Sequence, residues 1–250
     1  MGYLIIPLLC TTAPAFGDGP CDVGGYLCRP AFCLDDGPLV PVSPYAPQPG
    51  DIFLATDQAL WARAGHWLAG GAGVHHSGIV FRRSGGRMGI IEAGPFNSVR
   101  VEVMDPIEHM RDHARAGDKV WVRRRRVPLT ADESARLTAF VERQEGKQFA
   151  VLRLMGQVTL LRSRGPVRTR FVGGPRGDRD RYFCSELVVE ACVAGGLMDG
   201  ATARPSATYP RDLFFGRSLN PYLDRHLCLD DWDPPARWLE GCLTPRPCSP

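Results

Sequence analysis

No apolar run in the 250 residues approaches the ~18 that a membrane-spanning helix needs. No internal repeat is present, which excludes solenoids and propellers. Charge of one sign is not in excess: the formal net charge is +3, with 23% charged and 44% hydrophobic residues. Those values exclude wholesale disorder, collagen and coiled coil. Cysteine is missing from the whole stretch between Cys33 and Cys184, and no two cysteines have C-x₂-C spacing. With only His226 near the C-terminal group, structural zinc at the cysteines is disfavoured.

What is present fits one large domain with decorated ends. Gly (28) and Pro (22) are frequent enough to require much loop, yet fall short of low complexity. The nine cysteines gather at the ends: Cys21, Cys28 and Cys33 in one segment, and Cys228, Cys242 and Cys248 in another. Two such groups in Pro/Gly-rich surroundings predict disulfides in an oxidising compartment, at least one joining residues 21–33 to 228–248. Residues 1–15, an apolar stretch ending in Ala13-Pro14-Ala15, read as a secretory signal lacking a charged n-region. A buried N-terminal segment is the alternative, and a lipoprotein at Cys10 is weakened by Leu9. The expected location is periplasmic or secreted.

Residues 111–181 carry 18 Lys/Arg against 8 Asp/Glu, while the rest of the chain carries 12 against 19. A basic middle between acidic ends fits either an anionic substrate or surface, or charge pairing across the fold. The basic loop 162–181 is the segment available for membrane-surface contact. Arg123–Arg126 lacks interleaved aromatics, so no nucleic-acid partner is expected.

Residues 16–48 read as an irregular Cys/Gly/Pro-rich arm and 49–216 as the globular domain, followed by a Cys-rich tail, 217–250, packed on it. Asp51 opens a strand at Ile52–Ala55, and Thr56 or Asp57 can cap a helix reaching Ala69. His76–Phe81 and Met88–Ala93 predict a hairpin, Ser98–Val103 a third strand and Lys119–Val127 a fourth. Asp105-Pro106 starts a short helix. Thr130 with Glu133 makes a capping box for a helix ending near Gly146. Further helices are expected over Phe149–Leu161 and Phe183–Ala194, the latter closed by Gly195-Gly196. The order predicts an α+β fold with an antiparallel sheet packed on helices.

Three residues carry the chemistry. Cys184 falls at a helix start, where the partial positive charge favours thiolate; the bland alternative is a core cysteine on the stripe Cys184, Val188, Cys192. His76 stands at the mouth of a strand, where an imidazole can serve a thiol as base. Glu92 ends the next strand and can orient that imidazole. His109 and His113 have helical spacing but no obvious third ligand, so no metal and no cofactor is expected.

Pro49-Gly50-Asp51-Ile52, His76-x-Gly78-Ile79-Val80, Glu92-Ala93 and Tyr182-x-Cys184-Ser185-Glu186-Leu187-Val188 occur in that order, followed by Tyr209-Pro210-x-Asp212-Leu213. The series resembles the permuted papain-like cysteine hydrolases related to NlpC, of the YiiX/YaeF-type amidase family, over roughly residues 48–215. The resemblance implies a permuted papain-like fold with the His strand ahead of the Cys helix. It implies Cys184 as nucleophile, His76 as base and Glu92 as orienting residue, with Tyr182 and Asp51 assigned to substrate binding. The implied activity is an amidase or peptidase acting on an amide or acyl bond of a small-molecule, peptide or lipid substrate in the cell envelope, with an acyltransferase or lipid esterase as an alternative. The other class is a catalytically silent binding module on the same scaffold.

Two geometric expectations follow. Cys184 Sγ is expected near hydrogen-bond reach of a His76 ring nitrogen. His76 and Glu92 must also share a sheet face. A two-residue turn at Gly85-Gly86 would set Glu92 opposite Ile79, on the wrong face. A loop with an odd number of residues, centred on Gly85 or Gly86, restores the shared face.

Overall fold

The architecture was read from a computed structural model. It describes residues 24–29, 40–58, 73–94, 98–152, 169, 173–218 and 227–240. The helix expected to reach Ala69, most of the one expected over Phe149–Leu161, and the signal segment lie outside the described residues.

Among the described residues ten strands form one sheet: β1 Tyr26–Arg29, β2 Val40–Pro44, β3 Ile52–Ala55, β4 His76–Arg82, β5 Met88–Gly94, β6 Arg100–Met104, β7 Val120–Arg123, β8 Gln148–Phe149, β9 Arg181–Tyr182 and β10 Ala236–Leu239. Their order is β2-β1-β10-β7-β3-β4-β5-β6-β8-β9, antiparallel except for the short β8–β9 pair. The arm read as irregular thus supplies β1 and β2, and the tail supplies β10 between β1 and β7. Among the described residues four α-helices accompany the sheet: α1 Pro106–Arg115, α2 Ala131–Glu142, α3 Cys184–Gly195 and α4 Pro210–Phe215.

Strict alternation along the central strands buries both faces. Ile52, Leu54, Ile79, Phe81 and Ile91 pack with α2 and α3 through Leu137, Phe140, Leu187 and Val188. Phe53, Ala55, Val80 and Ile90 face the other way, against Met110 of α1, Leu27 and Trp238. Each fully buried Leu, Ile or Phe contributes roughly 1.5–3 kcal/mol.

The helix starts follow from local chemistry. Asp105 Oδ1 accepts from the N–H groups of Ile107 (2.9 Å) and Glu108 (3.1 Å) ahead of α1. Thr130 and Glu133 cap α2 reciprocally, as their spacing predicts. At α3 the N-cap is Phe183, which has no capping side chain, so Glu186 Oε2 takes the Phe183 N–H at 3.2 Å. Gly196 ends α3 in the left-handed region with φ 79°, letting Leu197 N–H reach back to the Cys192 carbonyl.

The β4–β5 register pairs Gly78 with Glu92, Ile79 with Ile91 and Arg82 with Met88. Arg83 N–H bonds the Arg87 carbonyl and closes a three-residue loop, Ser84-Gly85-Gly86. Gly86 takes φ 84°, the left-handed residue such loops require. The loop is therefore odd, and Glu92 turns to the face of His76.

Among the described residues there is no disulfide. Cys184 and Cys192 are buried free thiols and Cys228 is exposed, while Cys28 is buried in β1 opposite Arg237. The remaining cysteines lie outside the described residues.

Candidate functional site

The site is built at the end of β4 where the strand begins. His76 pairs with Ala55 of β3, so its ring projects to the α1 face. His76 Nδ1 is 2.7 Å from Glu92 Oε1, with both side chains almost fully buried. His76 Nε2 is 3.3 Å from Asp57 Oδ2, on the loop that leaves β3. The same Asp57 donates its backbone N–H to His75 Nδ1 at 2.8 Å.

Glu92 uses its second oxygen as well. Oε2 is 2.6 Å from His109 Nε2 and 3.9 Å from His113 Nε2, both on the buried face of α1. His113 Nδ1 in turn bonds Asp118 Oδ2 at 2.8 Å. The result is a buried chain of carboxylates and imidazoles under the sheet. Burial by itself pulls the His76 pKa down, but the charge of Glu92 and the bonds to Asp57 and Glu92 outweigh it and push it up to about 10. Burial pushes the Glu92 carboxyl up, and the His76 charge with the imidazoles of His109, His113 and His76 around it holds it well below its usual range. Burial likewise lowers His113, and its bond to Asp118 with Glu92 nearby raises it further than that.

Cys184 comes to the same end of β4 from the opposite side. It is the first residue of α3, whose Leu187 and Val188 pack on the face of Leu54 and Ile79. Its Sγ lies 3.6 Å from the carbonyl oxygen of His75. The thiol pKa is pushed up to about 12, first by burial and then by the Glu92 charge; the Ser77 hydroxyl and the N–H groups of Ser185 and Ser77 pull the other way. The contacts these two groups make are Sγ with the His75 carbonyl and Nε2 with Asp57.

Tyr182 and Asp51, expected at the substrate, are engaged within the fold. Both are fully or almost fully buried. Tyr182 Oη donates to the Gly177 carbonyl or Gln144 Oε1, 2.9 and 2.8 Å away, and accepts from Arg179 N–H, pinning the loop before β9. Asp51 Oδ1 accepts from Arg125 N–H at 2.8 Å, and Oδ2 accepts from Tyr45 Oη at 3.0 Å and Gln48 N–H at 3.2 Å. Burial lifts the Asp51 carboxyl to about 6 against those bonds.

The structure also brings in residues that motif reading left aside. Asp57 stood out only as a helix cap. His109 and His113 lacked a third partner, and Glu92, already named for another task, supplies it. The signal was the H-x₃-H spacing; what sequence could not supply was the register that turns Glu92 toward it.

No family model and no curated protein matches the chain. Among solved structures it is similar to the crystal structure of metalloprotein yiiX from Escherichia coli O157:H7, DUF1105, at 22% identity and a TM-score of 0.40. The match covers 59% of this chain and 66% of that one, so the chain spans just under two thirds of that structure's length.

Proposed function

We propose that the protein is a thiol hydrolase of the amidase or peptidase type, with Cys184 as nucleophile, His76 as acid and base, and Glu92 as the residue that positions His76. The observation that supports this most is the buried His76–Glu92 pair, 2.7 Å apart, at the strand end where Cys184 opens α3. Acylation starts from the neutral imidazole, its Nε2 proton having passed to Asp57 or water; the thiol proton then passes to His76 Nε2 while Sγ bonds the substrate carbonyl carbon. The imidazolium returns that proton to the leaving amine or alcohol. Water then cleaves the thioester, with His76 acting again as base, and the thiol is restored. For this to proceed, the Sγ contact with His75 and the Nε2 contact with Asp57 must exchange for one between Sγ and Nε2. Substrates are amides or acyl esters of a small molecule, peptide or lipid, acted on outside the cytoplasm.

One observation favours a second reading, a binding module without turnover: the thiol is held protonated by burial while carboxylates sit on both His76 nitrogens. Purified protein screened against muropeptides, acyl amides and lipid esters separates the two. The hydrolase reading expects turnover that Cys184→Ala abolishes with folding intact and that His76→Ala lowers by roughly 10²–10⁴-fold. Activity that survives Cys184→Ala refutes it.

A further inference from the structure

His109 and His113 stand one helical turn apart on α1, and the face they share is buried. The β4–β5 register carries Glu92 to the same point from the sheet. One ligand atom from each of the three lies within 4.8 Å of the others. We infer that Glu92, His109 and His113 form a binding site for one Zn²⁺ ion per chain, bridging α1 to β5.

The donor set is two imidazole nitrogens and one carboxylate oxygen, which zinc accepts. Ligand atoms about 2.0–2.1 Å from a tetrahedral ion stand about 3.3 Å from one another. Glu92 Oε2 is 2.6 Å from His109 Nε2 and 3.9 Å from His113 Nε2, so the present separations bracket that spacing. A fraction of an ångström of side-chain movement converts one arrangement into the other. The proton between Glu92 and His109 passes to solvent or to His109 Nδ1 as the ion takes its place.

Independent features around the three residues point the same way. His113 Nδ1 is fixed on Asp118 Oδ2, which turns Nε2 toward Glu92. Metal-bound histidines almost always carry such a partner on the other ring nitrogen. The free oxygen of Glu92 is held in turn by His76 Nδ1. The Phe53 ring packs on both imidazoles, with centroids at 5.1 and 5.2 Å, giving the site an apolar wall. A hydrogen-bonded cluster without an ion is the competing arrangement.

The test uses the full chain, stripped with chelator, dialysed against Zn²⁺ and analysed by mass spectrometry for metal. The expected result is one zinc per chain, with affinity lost in His109→Ala and His113→Ala and weakened about 10–100-fold in Asp118→Asn. Absence of retained zinc, or undiminished binding in both histidine variants, overturns the site. Should those variants fail to fold, anomalous scattering at the zinc edge from crystals of the unaltered chain decides: a peak among the three side chains supports the site, and a peak elsewhere or none refutes it. The site does not depend on the thiol reading, and Cys184→Ala should retain one zinc. Zinc binding without turnover would remove the hydrolase alone; turnover without zinc binding would remove the site alone.

Discussion

Glu92 has a carboxylate oxygen on His76 and another on His109, so its removal should act on both sides of the cluster. Breaking a buried pair of this kind costs about 3–5 kcal/mol. The pH dependence follows from the shifts. His76 is raised from 6.5 to about 10, so its contribution is complete below the ordinary histidine value and is lost as pH rises through about 10. Glu92 is depressed, so its contribution is complete above the ordinary carboxylate range and is lost as pH falls below it. Thermal melts of chelator-treated protein should therefore fall off on the alkaline side. Glu92→Gln should flatten that limb and let the His76 ring titrate at lower pH by NMR. An unchanged His76 titration would mean that Glu92 does not set its charge. Gly94 belongs to the same group. A Cβ there would meet Glu92 Oε1 and His76 Nδ1 at 3.3 Å, so Gly94→Ala should displace the pair, shifting the His76 ring resonances while leaving the melt nearly intact. Motif order made His76, Glu92 and Cys184 legible. Asp57 and the α1 histidines were not, because His76 and Glu92 lie 17 to 21 residues from them along the chain and meet them only through the register.

The β4–β5 hairpin is the element on which the site turns. Period-two alternation means that a one-residue slip moves Glu92 to the α3 face. Deleting Gly85 leaves Ser84-Gly86 as a two-residue loop with Arg83 still opposite Arg87, so the register and the His76–Glu92 contact should survive. A normal His76 titration by NMR is the expected outcome; loss of that titration would show that loop length sets the register. Gly86→Ala should cost about 1–2 kcal/mol because φ there is 84°. Gly85→Ala, with open space and no positive φ, should be nearly silent. Gly78 explains part of the His-x-Gly motif physically: a Cβ there would lie 2.8 Å from the Ile91 carbonyl oxygen, which is backbone and cannot swing away. The need for an odd loop was legible from the glycine pair and the positions of His76 and Glu92. The contact of Cys184 with the His75 carbonyl was not, because it depends on which sheet face α3 covers.

At the scale of the whole molecule, part of the charge asymmetry of the sequence is met by pairing. Arg125 bonds Asp231, with its guanidinium 4.2 Å from the Trp232 ring centroid, and Arg126 bonds Asp233. Arg179 bonds Glu186, and Glu190 accepts the N–H groups of Arg176 and Gly177. Arg125 and Arg126 are thus paired with the tail and Arg179 with α3. Composition showed the imbalance, but only the fold shows which groups meet. The Pro-rich ends hid their strands for a related reason: β1, β2 and β10 are short and gain their pairing from one another and from β7. Because β1 and β10 are neighbours, non-reduced digests should contain peptides of residues 21–33 cross-linked to 228–248; thiols that are all free in exported protein would refute this. The same adjacency bears on where the folding unit begins and ends. A chain cut to residues 49–216 loses Trp232, whose Nε1 donates to the Gly50 carbonyl, and Trp238, whose Nε1 donates to that of Gly24. It also loses Tyr45, the partner of buried Asp51. Each buried tryptophan is worth roughly 4–6 kcal/mol, against a typical net stability of about 5–15 kcal/mol. The cut also bares the outer edge of β7, an invitation to intermolecular strand pairing. The shortened chain should therefore aggregate or lack a cooperative melt, whereas the full chain melts cooperatively. A cooperative melt within a few degrees of the full chain would show instead that the terminal strands only decorate a domain able to stand without them.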